Sequence, residues 1–137
     1  MHIVLFVCVE NTFRSVMAEA ILNAKGPPGW RAESAGVQPA TAINPVVISL
    51  LREIDIELGA SKPMLVTPVM IEKAWRVITF GCLDRCPPRT KGKSEDWPLP
   101  GSTGKTDAQL KTIRDDVARR IERLIEEIEG TRSQRNL

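Results

Sequence analysis

Residues His2 to Cys8, His-Ile-Val-Leu-Phe-Val-Cys, form a nearly continuous apolar run, and it constrains the fold more than any other feature of the chain. A strand with one wet face alternates apolar and polar residues. A run without alternation must be buried on both faces, as the central strands of parallel sheets are. From Ser15 onward, Val16, Met17, Ile21 and Leu22 share one helical face, so the residues between run and helix form a loop that ends at a helix N-terminus. Strand, loop and helix in that order open an α/β sheet.

The same alternation continues along the chain. Gly26-Pro-Pro-Gly29 predicts a turn and Trp30 to Ser34 a second strand. Asn44-Pro45 predicts a helix start, with Val46, Val47, Leu50 and Leu51 as the buried face, and Thr67-Pro68 starts a shorter helix ending near Trp75. Residues 75 to 80 read as the next strand, which delivers Cys82 to the carboxyl edge of the sheet that also carries Cys8. The stretch from Cys86 to Lys105 reads as loop with a brief edge strand near Asp96. Leu110, Ile113, Val117, Ile121, Leu124, Ile125 and Ile128 recur at helical spacing, with Asp115–Arg119 and Asp116–Arg120 as outward i,i+4 pairs; Gly130 is expected to stop this helix. The prediction is a single α/β domain over residues 1–130, a four-stranded parallel sheet flanked by helices, with a polar tail over 131–137.

Composition excludes several classes of partner. A formal net charge of +2 is too balanced to argue for nucleic acid or an anionic membrane. No apolar stretch approaches the roughly 20 residues that cross a bilayer, and no charged region precedes the first apolar run. Three cysteines fit a reducing compartment better than a disulfide framework, and the expected location is cytoplasmic.

The loop Cys8-Val9-Glu10-Asn11-Thr12-Phe13-Arg14-Ser15 carries the chemistry. A Cys six residues before an Arg arises by chance in about one chain in four of this composition, so the specificity comes from the strand and helix around it. Backbone N–H groups of residues 9 to 15, unpaired at a helix start, can converge on a tetrahedral oxyanion, with the helix dipole adding positive potential. Arg14 would grip two oxygens in a bidentate fork that Lys does not reproduce. A thiolate of Cys8 beside that anion is a nucleophile. Ser15 is placed to donate a hydrogen bond to it, and Asn11 to brace the loop. Cys82 and Cys86, spaced by Leu-Asp-Arg with Pro87 behind, read as a redox pair, as metal ligands or as inert thiols. Zinc is the weaker reading, because the only histidine is His2 in the first strand.

Taken together, these segments resemble the low-molecular-weight protein tyrosine phosphatase superfamily and its thioredoxin-coupled arsenate reductase branch. The matching motifs are the Cys8 to Ser15 loop with Met17-Ala18-Glu19-Ala20, Ser34-Ala35-Gly36 with Pro39-Ala40, Asn44-Pro45, and Val77 through Gly81-Cys82 and Cys86-Pro87 into Glu95-Asp96-Trp97. The paired downstream cysteines look like the reductase branch. That resemblance implies a relay in which Cys8 attacks arsenate, Cys82 attacks Cys8 as arsenite leaves, and Cys86 attacks Cys82 to expose a disulfide to thioredoxin or a similar dithiol. It implies no metal or organic cofactor. The alternatives are a phosphatase of tyrosine or small phosphoesters using Cys8 and Arg14, and a non-catalytic oxyanion or redox sensor.

One departure stands out. Members of the superfamily carry a general-acid aspartate before a proline, but here Pro98-Leu-Pro-Gly101-Ser102 puts Gly101 in that place. The nearby Asp96 or Glu95 is then the expected proton donor, Asp96 first. Gly104-Lys105-Thr106 echoes a nucleotide-binding loop, but the glycine that motif requires five positions earlier is Leu99.

Overall fold

The computed structural model describes residues 1–59, 62–81 and 92–135, with side chains described as far as residue 130. Cys82 and Cys86 lie outside the described residues. The elements run β1 (His2–Cys8), α1 (Arg14–Lys25), β2 (Trp30–Gly36), α2 (Val46–Arg52), α3 (Pro68–Lys73), β3 (Arg76–Thr79), β4 (Ser94–Asp96) and α4 (Asp107–Arg135). All four strands are parallel, in the order β2-β1-β3-β4.

The apolar first run becomes the central strand. Val4 through Val7 are at most 1% exposed, because both faces of β1 are covered. Val4, Phe6 and Cys8 point to the face packed by α1, α2 and α4, where they join Met17, Ile21, Leu51, Ile113, Val117 and Ile121. Leu5 and Val7 point to the other face and meet Val66, Ile71 and Val77 around α3. The two-residue period of the strand thus sends alternate apolar side chains into two separate cores. Cys8, last in β1, pairs in register with Gly36, last in β2, so both strands end together at the carboxyl edge of the sheet.

The helix starts use the predicted chemistry. Asn44 Oδ1 accepts from the Val46 N–H at 3.1 Å, and Thr67 Oγ1 accepts from the Met70 N–H at 3.2 Å with Pro68 in the first helical turn. Two expectations for α4 are corrected. The helix continues through Gly130 to Arg135, and Gly130 does not take the left-handed conformation of a helix stop; a helical glycine costs only about 1 kcal/mol relative to alanine, too little to end a helix by itself. The outward charges also pair differently. Asp116 meets Arg119 one turn away, Asp115 meets Arg114, and Arg120 lies over the Trp97 ring.

Behind the loop, α1 and β2 are joined through Glu19, which accepts from the Ser34 hydroxyl. Burial pushes the Glu19 carboxyl above its ordinary value of 4.5, and the Ser34 hydrogen bond only partly opposes that rise. The folded state then holds more protons than the unfolded chain between 4.5 and the raised value. Stability therefore falls as pH rises through that window, and the penalty is complete above it. Glu19→Gln, which cannot ionise, should match or exceed the wild-type stability at pH 7 and lose that advantage as pH approaches 4.5. Denaturant melts across this range test the sign; an advantage that grows toward acid pH would refute it.

Candidate active site

The loop after β1 is shaped by where its carbonyls go. The C=O groups of Cys8, Val9, Glu10 and Thr12 accept from the N–H groups of Val37, Gln38, Ala40 and Asn44 at 3.2, 2.8, 3.1 and 3.0 Å. In a trans peptide the C=O of one residue and the N–H of the next point in opposite directions. Every peptide among the described residues is trans, so the N–H groups of Val9, Glu10, Asn11 and Phe13 face away from the 37–44 segment. Those of Arg14, Ser15 and Val16 belong to the first turn of α1 and have no carbonyl one turn back. Asn11 makes the reversal possible by adopting φ +56°, a left-handed conformation that asparagine tolerates better than most residues. The result is a concave array of N–H donors lining a cleft of about 110 Å³ bounded by Cys8, Arg14, Gly101, Ser102 and Thr103. That volume suits a small tetrahedral anion.

Cys8 sits at the floor, 3% exposed. Its Sγ lies 2.9 Å from Ser15 Oγ, and Ser15 Oγ accepts from Asn11 Nδ2 at 2.8 Å. Asn11 Oδ1 in turn accepts from the Met64 N–H at 2.9 Å. The chain of donors runs in one direction, from Met64 through Asn11 to Ser15, and leaves the Ser15 hydroxyl proton available to the sulfur. Asn11 and Ser15, at 1% and 0% exposure, are thus fixed members of the site.

Arg14 is held from behind. Its Nη1 donates to the carbonyls of Phe80 at 2.7 Å and Leu99 at 2.5 Å. Among the described residues nothing takes its Nε and Nη2 hydrogens, and that edge of the guanidinium is the one suited to a bidentate grip on an oxyanion. Gly101 approaches this edge: a Cβ built there would stand 3.9 Å from Nη2. Asn44 Nδ2 donates to Ser102 Oγ at 3.3 Å, tying the far wall of the cleft to the start of α2.

The substitute acids named from sequence are not in this cleft. Asp96 Oδ1 accepts from Thr79 Oγ1 at 2.5 Å and from the Gly81 N–H at 2.8 Å, so its carboxylate braces the end of β3. Glu95, pointing to the opposite face of β4, pairs with Arg76 at 3.7 Å. Neither lines the space beside Cys8 and Arg14. Sequence reasoning also missed how the 37–44 segment and Met64 orient the loop, because those two segments contribute backbone N–H groups, which leave no residue-type pattern. Gly36 was the available signal. A Cβ at this strand end would come within 2.7 Å of the Val9 carbonyl oxygen and 3.0 Å of the Asn11 nitrogen, so the loop closes over Gly36 only because it has no side chain.

The profile of the family described as low molecular weight phosphotyrosine protein phosphatase matches residues 3–134. The chain belongs to this family. Within the phosphatase family it is similar to an arsenate reductase of Staphylococcus aureus, 29% identical over 122 residues that span 86% of this chain and 92% of the relative. Among solved structures, the YwlE arginine phosphatase from Geobacillus stearothermophilus superposes with a TM-score of 0.86 at 26% identity, covering 98% of this chain and 97% of that one. A thioredoxin-dependent arsenate reductase from Corynebacterium glutamicum superposes at 0.81 with 32% identity, covering 96% of this chain and 63% of that one. The fold is therefore shared by proteins named for two reaction classes.

Gly36→Ala tests the close approach. The added methyl collides with backbone that cannot rotate away, so stability should drop by ~1–3 kcal/mol. Inorganic phosphate, measured by titration calorimetry, should bind about tenfold or more weakly, equivalent to ~1.4 kcal/mol. Unchanged phosphate affinity would show that the loop does not depend on Gly36.

Proposed function

We propose that the protein is a thiol-dependent arsenate reductase that converts arsenate to arsenite through Cys8, Cys82 and Cys86. The observation that carries this reading is the placement of β3: it ends beside the Cys8 cradle, and the chain continues from it directly into Gly81-Cys82 and on to Cys86. Arsenate, gripped by the loop N–H groups of residues 9 to 15 and by Arg14, is attacked by the Cys8 thiolate. An S–As bond forms, an As–O bond breaks and the oxygen leaves as water or hydroxide. The Cys82 thiolate attacks the sulfur of Cys8, and the electron pair of the S–As bond stays on arsenic, which leaves as arsenite. Attack of Cys86 on Cys82 then regenerates Cys8 and moves the disulfide to the 82–86 pair, where an external dithiol such as thioredoxin reduces it. The relatives named as arsenate reductases, one of them thioredoxin-dependent, support the substrate and the reductant.

The second reading is a phosphatase using the same Cys8 and Arg14, and its support is the likeness to an arginine phosphatase. Phosphate and arsenate offer nearly the same oxygens, so the cradle does not choose between them. The roof of the cleft weighs more heavily against the phosphatase reading. A phosphoester whose leaving group is a strongly basic alkoxide or phenoxide needs a proton from the enzyme, and Gly101 has none to give.

Two measurements separate the readings. Incubated with arsenate, thioredoxin, thioredoxin reductase and NADPH, the protein should consume NADPH in steady turnover that Cys8→Ser and Cys86→Ser abolish; release of phosphate from p-nitrophenyl phosphate without arsenate-dependent turnover would favour the phosphatase. Gly101→Asp should raise hydrolysis of phenyl phosphate, whose phenoxide leaving group is strongly basic, by ~10²-fold or more, since a proton donor contributes typically 10²–10⁴-fold. Among the described residues a Cβ at 101 meets Arg14 alone, at 3.9 and 4.0 Å, an ordinary van der Waals contact. If Gly101→Ala raised the rate equally, the missing proton would not be the reason.

A further inference from the structure

Asp96 and Arg14 hold opposite sides of a single peptide group. The C=O of Phe80 and the N–H of Gly81 belong to one trans peptide plane; Arg14 Nη1 donates to the oxygen at 2.7 Å, and Asp96 Oδ1 accepts from the N–H at 2.8 Å. Both bonds are charge-assisted, one from a guanidinium and one to a carboxylate. A peptide gripped at one end can swivel about its Cα–Cα axis. Gripped at both ends it cannot. Asp96 is itself fixed, because Thr79, its direct register partner across the β3–β4 ladder, donates to the same Oδ1 at 2.5 Å and is wholly buried. Past the clamped peptide the chain turns sharply at Gly81, whose φ of +83° suits glycine, and the next residue in sequence is Cys82.

We propose that Asp96, braced by Thr79, is a positioning residue that orients the Phe80–Gly81 peptide against Arg14 and thereby fixes the point from which Cys82 is delivered to Cys8. The assignment rests on the reductase reading for its biological use, and on the clamp geometry for its physical basis. It explains why a carboxylate stands close to the loop yet outside the cleft. It also gives Arg14 a second role, since the same guanidinium that faces the anion on its Nε–Nη2 edge orients the strand exit through Nη1. Attack of one thiol on another within a chain depends steeply on placement, and an error of about 1 Å can cost 10²-fold.

The test measures formation of the first disulfide directly, in a Cys86→Ser background that traps it. Hydrogen peroxide serves as oxidant. The Cys8 thiolate attacks a peroxide oxygen, the O–O bond breaks and hydroxide leaves, giving a sulfenic acid; Cys82 attacks that sulfur, the S–O bond breaks and water leaves with the thiol proton. Asp96→Ala should slow appearance of the Cys8–Cys82 disulfide by ~10- to 100-fold, with phosphate affinity of the Cys8 loop held within about twofold. Asp96→Asn should restore the rate, because the amide oxygen accepts the same two hydrogen bonds. If Asp96→Ala does not fold, Thr79→Val removes the brace alone and should give a smaller slowing of the same step. Wild-type rates in Asp96→Ala, an Asp96→Asn variant as slow as the alanine, or a parallel loss of phosphate binding would each overturn the proposal, as would a Cys86→Ser parent that forms no Cys8–Cys82 disulfide. Failure of the wild-type protein to turn over arsenate, with the Asp96 effect on the peroxide-driven step intact, would sink the reductase reading and leave the clamp standing.

Discussion

The site depends on the pairing of four loop carbonyls with the segment after β2. Without acceptance by Cys8, Val9, Glu10 and Thr12 of the N–H groups of Val37, Gln38, Ala40 and Asn44, the peptides of the loop would be free to rotate, and their N–H groups would not converge. Anion binding by backbone amides has little enthalpic reserve to reorganise a loop, so the loop has to be preorganised by bonds on its far side. Gly36 lets the two segments approach closely enough for those bonds, and Asn11 supplies the left-handed turn within the loop. Cys8, by comparison, needs little more than its place at the end of a central strand.

That strand was legible from sequence because its physical cause is local. Burial on both faces forces a continuous apolar run, and Val4 to Val7 are fully enclosed as the run demands. Helix starts at Asn44 and Thr67 were legible for a similar reason, as the capping side chain lies within two or three residues of the amide it serves. Where the cause is distant, the sequence is silent. Asp96 looks like a spare acid when read along the chain. Only the parallel pairing of β4 with β3 reveals that its partner is Thr79 and that its carboxylate is occupied. The length of α4 is an intermediate case: Gly130 carries a real local penalty, but one glycine is outweighed by the turns on either side of it.

Arg14 shows how one side chain can serve geometry and electrostatics at once. Two carbonyls on Nη1 restrain a long flexible side chain that would otherwise lose considerable rotamer freedom on gripping an anion. Those carbonyls come from different parts of the chain, Phe80 at the exit of β3 and Leu99 in the loop that roofs the cleft. The guanidinium therefore registers the position of both. A lysine, with a single nitrogen, could not bind two carbonyls on one edge and keep a planar fork on the other.

On the proposed reading, the same roof bears on why this loop would favour electron transfer over hydrolysis. In hydrolysis the enzyme has to protonate an ester oxygen as the P–O bond breaks, and the proton must come from a group poised above the bound anion. In the proposed reductive sequence the As–O cleavage expels water or hydroxide and the S–As cleavage sends its electron pair to arsenic, so neither step has to protonate a leaving alkoxide. A glycine at 101 removes the first capability while leaving the donors around the anion in place, because Arg14 is anchored by Phe80 and Leu99 and owes nothing to a side chain at 101. On that reading, a glycine at 101 tilts the chemistry without altering the loop.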